Sequence, residues 1–297
     1  MLGGTSRFGK IFIFAAPSIF VGRNIIMSTK SALKGATTAI CILFGAGASS
    51  AAVIDLGFVL DGSGSVSSSD FSSAASALSA ALSQIPTSGE NQYRVAVTSY
   101  GYGSYTAVPP TIVTASNIGS IQAQVLTAYK DSGGTDTAGA ITYITNLFTN
   151  DGGLGATSLI NITTDGSPNS QSATEAAALA ANVAGIDGIS FEAVGSGVSS
   201  SSAQGDMARI AGLGTSGDAD AGVIATDLDN LPNATTTGFV IPVANFTAYG
   251  AAIEAKIGQV IDDTGGNTGV VPLPAAMPML LAGLGAFGFL RRRGAAA

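Results

Sequence analysis

Ile54-Asp55-Leu56-Gly57-Phe58-Val59-Leu60-Asp61-Gly62-Ser63-Gly64-Ser65 is the stretch on which the fold reading turns. Its first seven residues form a nearly unbroken apolar run, too short for a helix bounded by turn residues and well suited to a strand buried on both faces. The run stops at a carboxylate, Asp61, and then breaks into alternating glycine and serine. The glycines let the chain turn back on itself, so that the Asp61, Ser63 and Ser65 side chains can converge on one point.

Working outward, residues 54–260 repeat this alternation of apolar runs and Ala/Ser-rich helical segments. Strands are expected over 93–100, 158–164 and 189–194, with a late edge strand over 238–242. Ser69 and Asp70 are candidate N-caps for a helix reaching about Ile85. Further helices are expected over 118–128, 137–148, 172–184, around Met207, and over 247–261. Continuously apolar strands separated by helices predict an α/β domain, doubly wound, with a mostly parallel central sheet flanked by helices. Ligands of such sheets sit beyond the carboxyl ends of the strands, where Asp61 and Asp165 both fall.

Two further segments contribute to that edge. Gly133-Gly134-Thr135-Asp136-Thr137 opens a helix and supplies a hydroxyl, and Thr163-Thr164-Asp165-Gly166 supplies a second carboxylate. Asp61, Ser63, Ser65, Thr135 and Asp165 are therefore the candidate metal ligands. Hydroxyl and carboxylate oxygens suit Mg²⁺, with Mn²⁺ or Ca²⁺ as alternatives. Two carboxylates and three neutral hydroxyls leave charge and room for one more anionic oxygen from a partner. Asp136 reads as a helix-start charge favoured by the dipole, or as a group behind the ligands. Asp218, Asp220, Asp227 and Asp229 are either a separate Ca²⁺ loop or a solvated acidic surface; they lack EF-hand spacing, which favours the surface. Tyr100, Tyr102 and Tyr105 lie near the top of the second strand, either as a contact patch or as packing.

Composition narrows the chemistry in the same direction. The 297 residues include no His and one Cys, with a formal charge of −7. Ser-His-Asp hydrolysis, His-ligated zinc, disulfide frameworks and iron–sulfur clusters are excluded. The acidic balance argues against a nucleic-acid partner. Eight of the 12 basic residues lie in the terminal segments, leaving Arg94, Lys130, Arg209 and Lys256 in the body; all 19 acidic residues fall between Asp55 and Asp263, so the body carries about −15. Such a surface repels acidic ligands everywhere except at a bound cation.

The ends read as targeting segments. Residues 27–52 have the form of a signal peptide: Lys30 and Lys34, an apolar stretch over 39–44, and small residues through Ala52, with cleavage expected after Ala51 or Ala52. Cys41 belongs to the apolar stretch and is preceded by Ile40, which does not fit a lipoprotein anchor. Residues 1–26 lie upstream of Met27 and are either a misread start or part of an extended leader. Beyond the domain at 53–261, residues 262–270 read as a linker. The tail at 271–297 holds Val271-Pro272-Leu273-Pro274-Ala275, a transmembrane helix over 275–290 and the cluster Arg291-Arg292-Arg293. The arginines would remain cytoplasmic, with the body outside.

The tail resembles the PEP-CTERM sorting signal in its Val-Pro-Leu-Pro-Ala variant. That resemblance implies a Gram-negative exported protein, an exosortase-type sorting enzyme as partner, and an inner-membrane-anchored precursor that reaches the cell surface or extracellular matrix. Residues 54–260 resemble a von Willebrand factor type A domain, with Asp61, Ser63, Ser65, Thr135 and Asp165 matching the five positions of that family's metal-ion-dependent adhesion site. The function this implies is metal-dependent binding or adhesion without catalysis, the ion capturing an acidic group of a protein or exopolysaccharide. The alternatives are a metal-dependent hydrolase, or a structural matrix protein whose metal only stabilises the fold.

Overall fold

The computed structural model describes residues 51–265. The expected signal peptide up to residue 50, the expected sorting tail and the expected transmembrane helix over 275–290 lie outside the described residues. Among those described, no helix is long and apolar enough to cross a membrane.

The chain runs β1 (Ala52–Asp61), α1 (Ser68–Ala81), β2 (Asn91–Tyr100), β3 (Ser104–Ile112), α2 (Ile118–Val125), α3 (Thr137–Asn150) and β4 (Thr157–Thr164). It continues with α4 (Gln171–Ala184), β5 (Gly188–Val194), α5 (Ser201–Ser216), β6 (Val223–Ile224), β7 (Phe239–Val243) and α6 (Tyr249–Asp263). The seven strands form one sheet in the order β3-β2-β1-β4-β5-β7-β6. Every pairing is parallel except the β2–β3 hairpin.

The two-residue alternation of β1 divides the core between the two faces of the sheet. Ile54, Leu56, Phe58 and Leu60 pack into a cluster with Phe71 and Leu78 of α1 and Ile253 and Ile257 of α6. Val59 faces the other way, with Ile141, Ile144 and Phe148 of α3 and Ala178 of α4. Gly57 shares that second face because α3 lies against it: a Cβ there would sit 2.9 Å from Ile144 Cγ1 and 3.0 Å from Phe148 Cε2. Asp61 has the parity of Val59, so its carboxylate belongs to the α3 side.

From β1 the chain winds outward to β2 and β3, then returns to place β4 on the opposite side of β1. The strand order therefore reverses at β1 and β4, and the crevice beyond their carboxyl ends is where such a sheet receives a ligand. Asp61 ends β1, and Asp165 follows β4.

Four local features differ from the expectation. The cap of α1 is Ser67 rather than Ser69 or Asp70; its hydroxyl accepts from the Asp70 N–H at 3.1 Å and donates to the Asp70 carboxylate at 2.7 Å. Strand β7 is no edge strand, since β6 pairs along it in parallel and takes the edge position. Strand β3 was not expected; it carries Pro109 and Pro110, which an edge strand tolerates although they cannot donate to a ladder. Helix α6 runs to Asp263, two residues past its expected end, with Thr264 tied to β2 by the Asn91 amide at 2.6 Å and the Tyr93 hydroxyl at 3.1 Å.

Candidate metal centre

The loop after β1 is folded by its own backbone. Gly62 N–H donates to the Tyr100 carbonyl at 2.7 Å and Gly64 N–H to the Gly133 carbonyl at 2.8 Å, while the Gly62 carbonyl accepts from Ser132 N–H at 2.7 Å. A Cβ on Gly62 would come within 3.1 Å of the Tyr100 carbonyl oxygen and 3.3 Å of the Lys130–Asp131 backbone, so this close approach of three segments favours a glycine. Ser132 adopts a positive φ of 61°, unusual for a residue with a side chain. The loop is further held by Lys130, whose ammonium donates to the Ser63 carbonyl and the Ser132 hydroxyl, each at 3.0 Å.

Asp61 is buried, and both of its oxygens are occupied. Oδ1 accepts from the Ser63 N–H at 2.8 Å; Oδ2 accepts from the Thr164 hydroxyl at 2.6 Å and the Tyr100 hydroxyl at 3.3 Å. The partners follow from strand register, since Tyr100 sits opposite Asp61 on β2. Burial, then the Asp61 charge, hold the Tyr100 phenol well above its ordinary pKa. Asp61 is thus anchored beneath the site rather than presented to it.

Above Asp61, three oxygens line up. The Ser63 and Ser65 hydroxyls lie 3.0 Å apart, and Ser65 donates to Asp165 Oδ1 at 2.7 Å. Partial burial raises the Asp165 pKa; the Ser65 hydrogen bond counters it, and the Asp61 charge adds to it. Thr135 arrives from the loop before α3, whose N-cap is Asp136, accepting from Gly139 N–H at 3.1 Å. Asp136 is therefore occupied in capping its own helix. Thr135 is fixed by reciprocal bonds with Asn169: its N–H donates to Asn169 Oδ1 at 3.0 Å, and its carbonyl accepts from Asn169 N–H at 2.9 Å. A Cβ on Gly166 would lie 3.7 Å from both Ser65 Oγ and Thr135 Oγ1, which places both hydroxyls beside the Asp165–Gly166 turn.

The five candidate ligands thus meet at one edge of the sheet, as an inner row of Ser63, Ser65 and Asp165, Thr135 beside it and Asp61 behind. This donor set fits a hard divalent cation. Adjacent ligands of an octahedral Mg²⁺ with bonds of about 2.0–2.1 Å stand about 2.9 Å apart, and the two measured oxygen separations bracket that value. A bound ion would replace the hydrogen bonds these oxygens now make with one another.

Four supporting residues were not singled out from the sequence: Tyr100 as an Asp61 partner, Thr164, Asn169 and Lys130. Thr164 directly precedes a candidate ligand, and Lys130 is one of few cations in the body; Tyr100 and Asn169 needed the cross-strand register. Of the three tyrosines considered, Tyr100 is buried beneath the site with its hydroxyl on Asp61, while Tyr102 and Tyr105 are exposed. Asp218, Asp220, Asp227 and Asp229 are all exposed, with Asp218 and Asp227 each accepting from the backbone N–H two residues on. Asn161, one of three Asn-x-Thr sites, is buried within β4 and bonded to Glu192 at 2.6 Å.

Comparison with known proteins agrees with this architecture. A family model described as the von Willebrand factor type A domain matches residues 55–237. Similar solved structures include proximal thread matrix protein 1 from the mussel byssus, at 13% identity and a TM-score of 0.50, covering 70% of this chain and 46% of that one. Another is a von Willebrand factor type A protein from Catenulispora acidiphila, at 14% identity and a TM-score of 0.51, covering 70% of this chain and 42% of that one. The chain thus spans less than half the length of either structure. A search of curated proteins finds no match to the sequence.

Proposed function

The chain belongs to the von Willebrand factor type A domain family, and from that premise we propose that it is an exported binding protein that captures an acidic group through a divalent cation, Mg²⁺ in the first instance. Asp165, Ser63, Ser65 and Thr135 would hold the ion, with Asp61 acting from behind them. The carrying observation is the spacing of the Ser63, Ser65 and Asp165 oxygens at 3.0 and 2.7 Å over a fully hydrogen-bonded Asp61. With Asp165 the one carboxylate among the direct ligands and Asp61 held behind them by its own hydrogen bonds, a bound divalent cation would keep an open position and part of its charge for one more anionic oxygen. In a body of about −15, that charge is the point at which an acidic partner is tolerated.

Binding without catalysis is favoured because the chain has no His and both Asp61 oxygens are committed to fixed donors. The neighbouring carboxylates are engaged as well: Asp136 caps α3, Asp131 accepts from the Gly103 N–H and Asp70 accepts from the Ser67 hydroxyl. The signal-like residues 27–52 and the PEP-CTERM-like tail support export, membrane retention of a precursor and handling by an exosortase-type enzyme, which places the mature protein at the envelope or in its matrix.

The test is capture from envelope and matrix fractions of the source cells, with wild type and Ser65→Ala, in Mg²⁺ and in EDTA. The reading expects a partner retained only by wild type in Mg²⁺. Partner retention that is indifferent to both EDTA and Ser65→Ala would overturn it.

A further inference from the structure

The exposed aromatic side chains among the described residues are Tyr102 (77%), Tyr105 (38%) and Tyr129 (56%), and Tyr102 lies beside the metal centre. Tyr102 occupies the turn between β2 and β3, and its ring lies on Gly133 and Gly134, immediately before Thr135. A Cβ on Gly133 would come 2.7 Å from Tyr102 Cγ, and one on Gly134 would come 3.0 Å from Tyr102 Cε1. Tyr105 and Tyr129 form an edge-to-face pair 4.7 Å apart. Tyr129 is followed by Lys130, which grips the Ser63 carbonyl.

Gly134 also adjoins Asn169, whose Nδ2 would lie 2.8 Å from a Cβ there. Because Asn169 Oδ1 accepts the Thr135 N–H, the orientation of the amide is set, and the NH₂ group of this exposed residue lies next to Gly134. One glycine therefore separates a solvent-facing aromatic ring from an exposed amide donor, and both adjoin a candidate metal ligand.

We propose that Tyr102 and Asn169 form a sugar subsite flanking the metal centre, and that the ligand is a glycan in which carboxylate-bearing sugars are set among neutral ones. This inference rests on the metal-dependent capture proposed above. The carboxylate goes to the cation, and the neighbouring neutral ring lays its C–H face on Tyr102 and offers a hydroxyl to the Asn169 amide. An extended peptide is less well served. The loop backbone that would pair with one is already spent on internal bonds from Gly62, Gly64, Ser132, Asp136 and Asn169. What the rim offers is hydroxyls, an amide and an aromatic face. The body charge of about −15 sets a further limit, since a densely charged polyanion would be repelled where a sparse one is not.

The test uses the full folded domain and hexasaccharides that alternate glucuronate with N-acetylglucosamine or with N-acetylgalactosamine, their carboxyl-reduced forms, and an acidic Gly-Asp-Gly peptide. Binding is read by calorimetry and by intrinsic emission, which reports tyrosine because the chain has no Trp. The expected result is hexasaccharide binding in Mg²⁺ that EDTA and carboxyl reduction abolish. Tyr102→Ala should weaken it by about 10-fold or more, the loss of one aromatic contact, with Mg²⁺ affinity unchanged and Tyr102→Phe equal to wild type. Equal binding by Tyr102→Ala, or Mg²⁺-dependent binding of the peptide but of no hexasaccharide, would overturn the sugar subsite and leave metal-dependent capture standing. Absence of Mg²⁺ binding by wild type would overturn both.

Discussion

Thr164 and Asp61, the last residues of two adjacent parallel strands, are joined by a 2.6 Å hydrogen bond from the Thr164 hydroxyl to Asp61 Oδ2. The bond ties β4 to β1 where the strand order reverses, and it sets the platform on which Ser63, Ser65 and Asp165 converge. Hydrogen bonds to a buried carboxylate are among the stronger ones, because the charge is costly to leave unsatisfied.

Thr164→Val keeps the shape of the side chain and removes that donor. It should cost about 1.5–3 kcal/mol in urea denaturation and weaken Mg²⁺ binding by about 10–100-fold, the usual effect of losing a group that orients a metal ligand. Tyr100→Phe, which removes a longer bond of 3.3 Å, should have the smaller effect on both. Unchanged Mg²⁺ affinity in Thr164→Val would show that Asp61 needs no such anchoring.

A control lies at the opposite end of β1. Asp55 is fully buried and accepts from Arg94 Nε at 2.7 Å, Arg94 Nη2 at 2.9 Å, Gly155 N–H at 2.7 Å and the Ser158 hydroxyl at 2.9 Å. Asp55→Asn leaves the Arg94 guanidinium only the longer 3.4 Å contact with the half-exposed Asp151 carboxylate and should destabilise by about 3–5 kcal/mol, with Mg²⁺ affinity in the remaining folded protein unaltered. A parallel loss of Mg²⁺ affinity would mean that the two ends of β1 are coupled.

Beneath the other face of the sheet, Asn161 bridges two buried charged groups. Its amide donates to Glu192 Oε2 at 2.6 Å, and its carbonyl accepts from Lys256 Nζ at 3.1 Å; Lys256 also bonds the Ser190 hydroxyl. Removing the cation alone leaves Glu192 stranded, so Lys256→Met should cost about 3–5 kcal/mol. Glu192→Gln added to that variant should recover part of the loss; thermal melts of the single and double variants decide this, and no recovery would show that the carboxylate is not the source of the cost.

Burial pushes the Lys256 ammonium down from 10.5 to about 8, against the pull of the Glu192 carboxylate. Between those values the unfolded chain holds a proton that the folded chain has released, so this group's contribution to stability rises with pH across the window. Below about 8 both states are protonated and the burial penalty is present in full. The stability difference between wild type and Lys256→Met should therefore grow in favour of wild type from pH 7.5 to 9.5, measured by urea melts. Ionisation of unfolded tyrosines is common to both proteins and cancels. A flat difference across that range would contradict the depressed value.

Much of this architecture was legible in residue pattern because β1, β2, β4 and β5 are buried on both faces and so carry continuous apolar runs. Asp61 and Asp165 stood out by terminating two such runs, and Ser63, Ser65 and Thr135 by their place in glycine-rich loops. Strand β3 was hidden because an edge strand carries no such run and tolerates Pro109 and Pro110. Strand β6 has only Val223 and Ile224, too short for any periodicity to register. The groups that fix the site, Tyr100, Thr164 and Asn169, act across strands and loops far apart in the chain, which depends on register rather than on local pattern. The division of labour between Asp61 behind the site and Asp165 within it was likewise a matter of geometry alone.

The most direct measurement is calorimetric titration of Mg²⁺ into the folded domain, wild type against Asp165→Ala and Ser65→Ala, with circular dichroism confirming that each variant is folded. The account predicts one site per chain in wild type and its loss, or a fall in affinity of at least about 100-fold, in both variants. Equal Mg²⁺ binding by wild type and the two folded variants would contradict it.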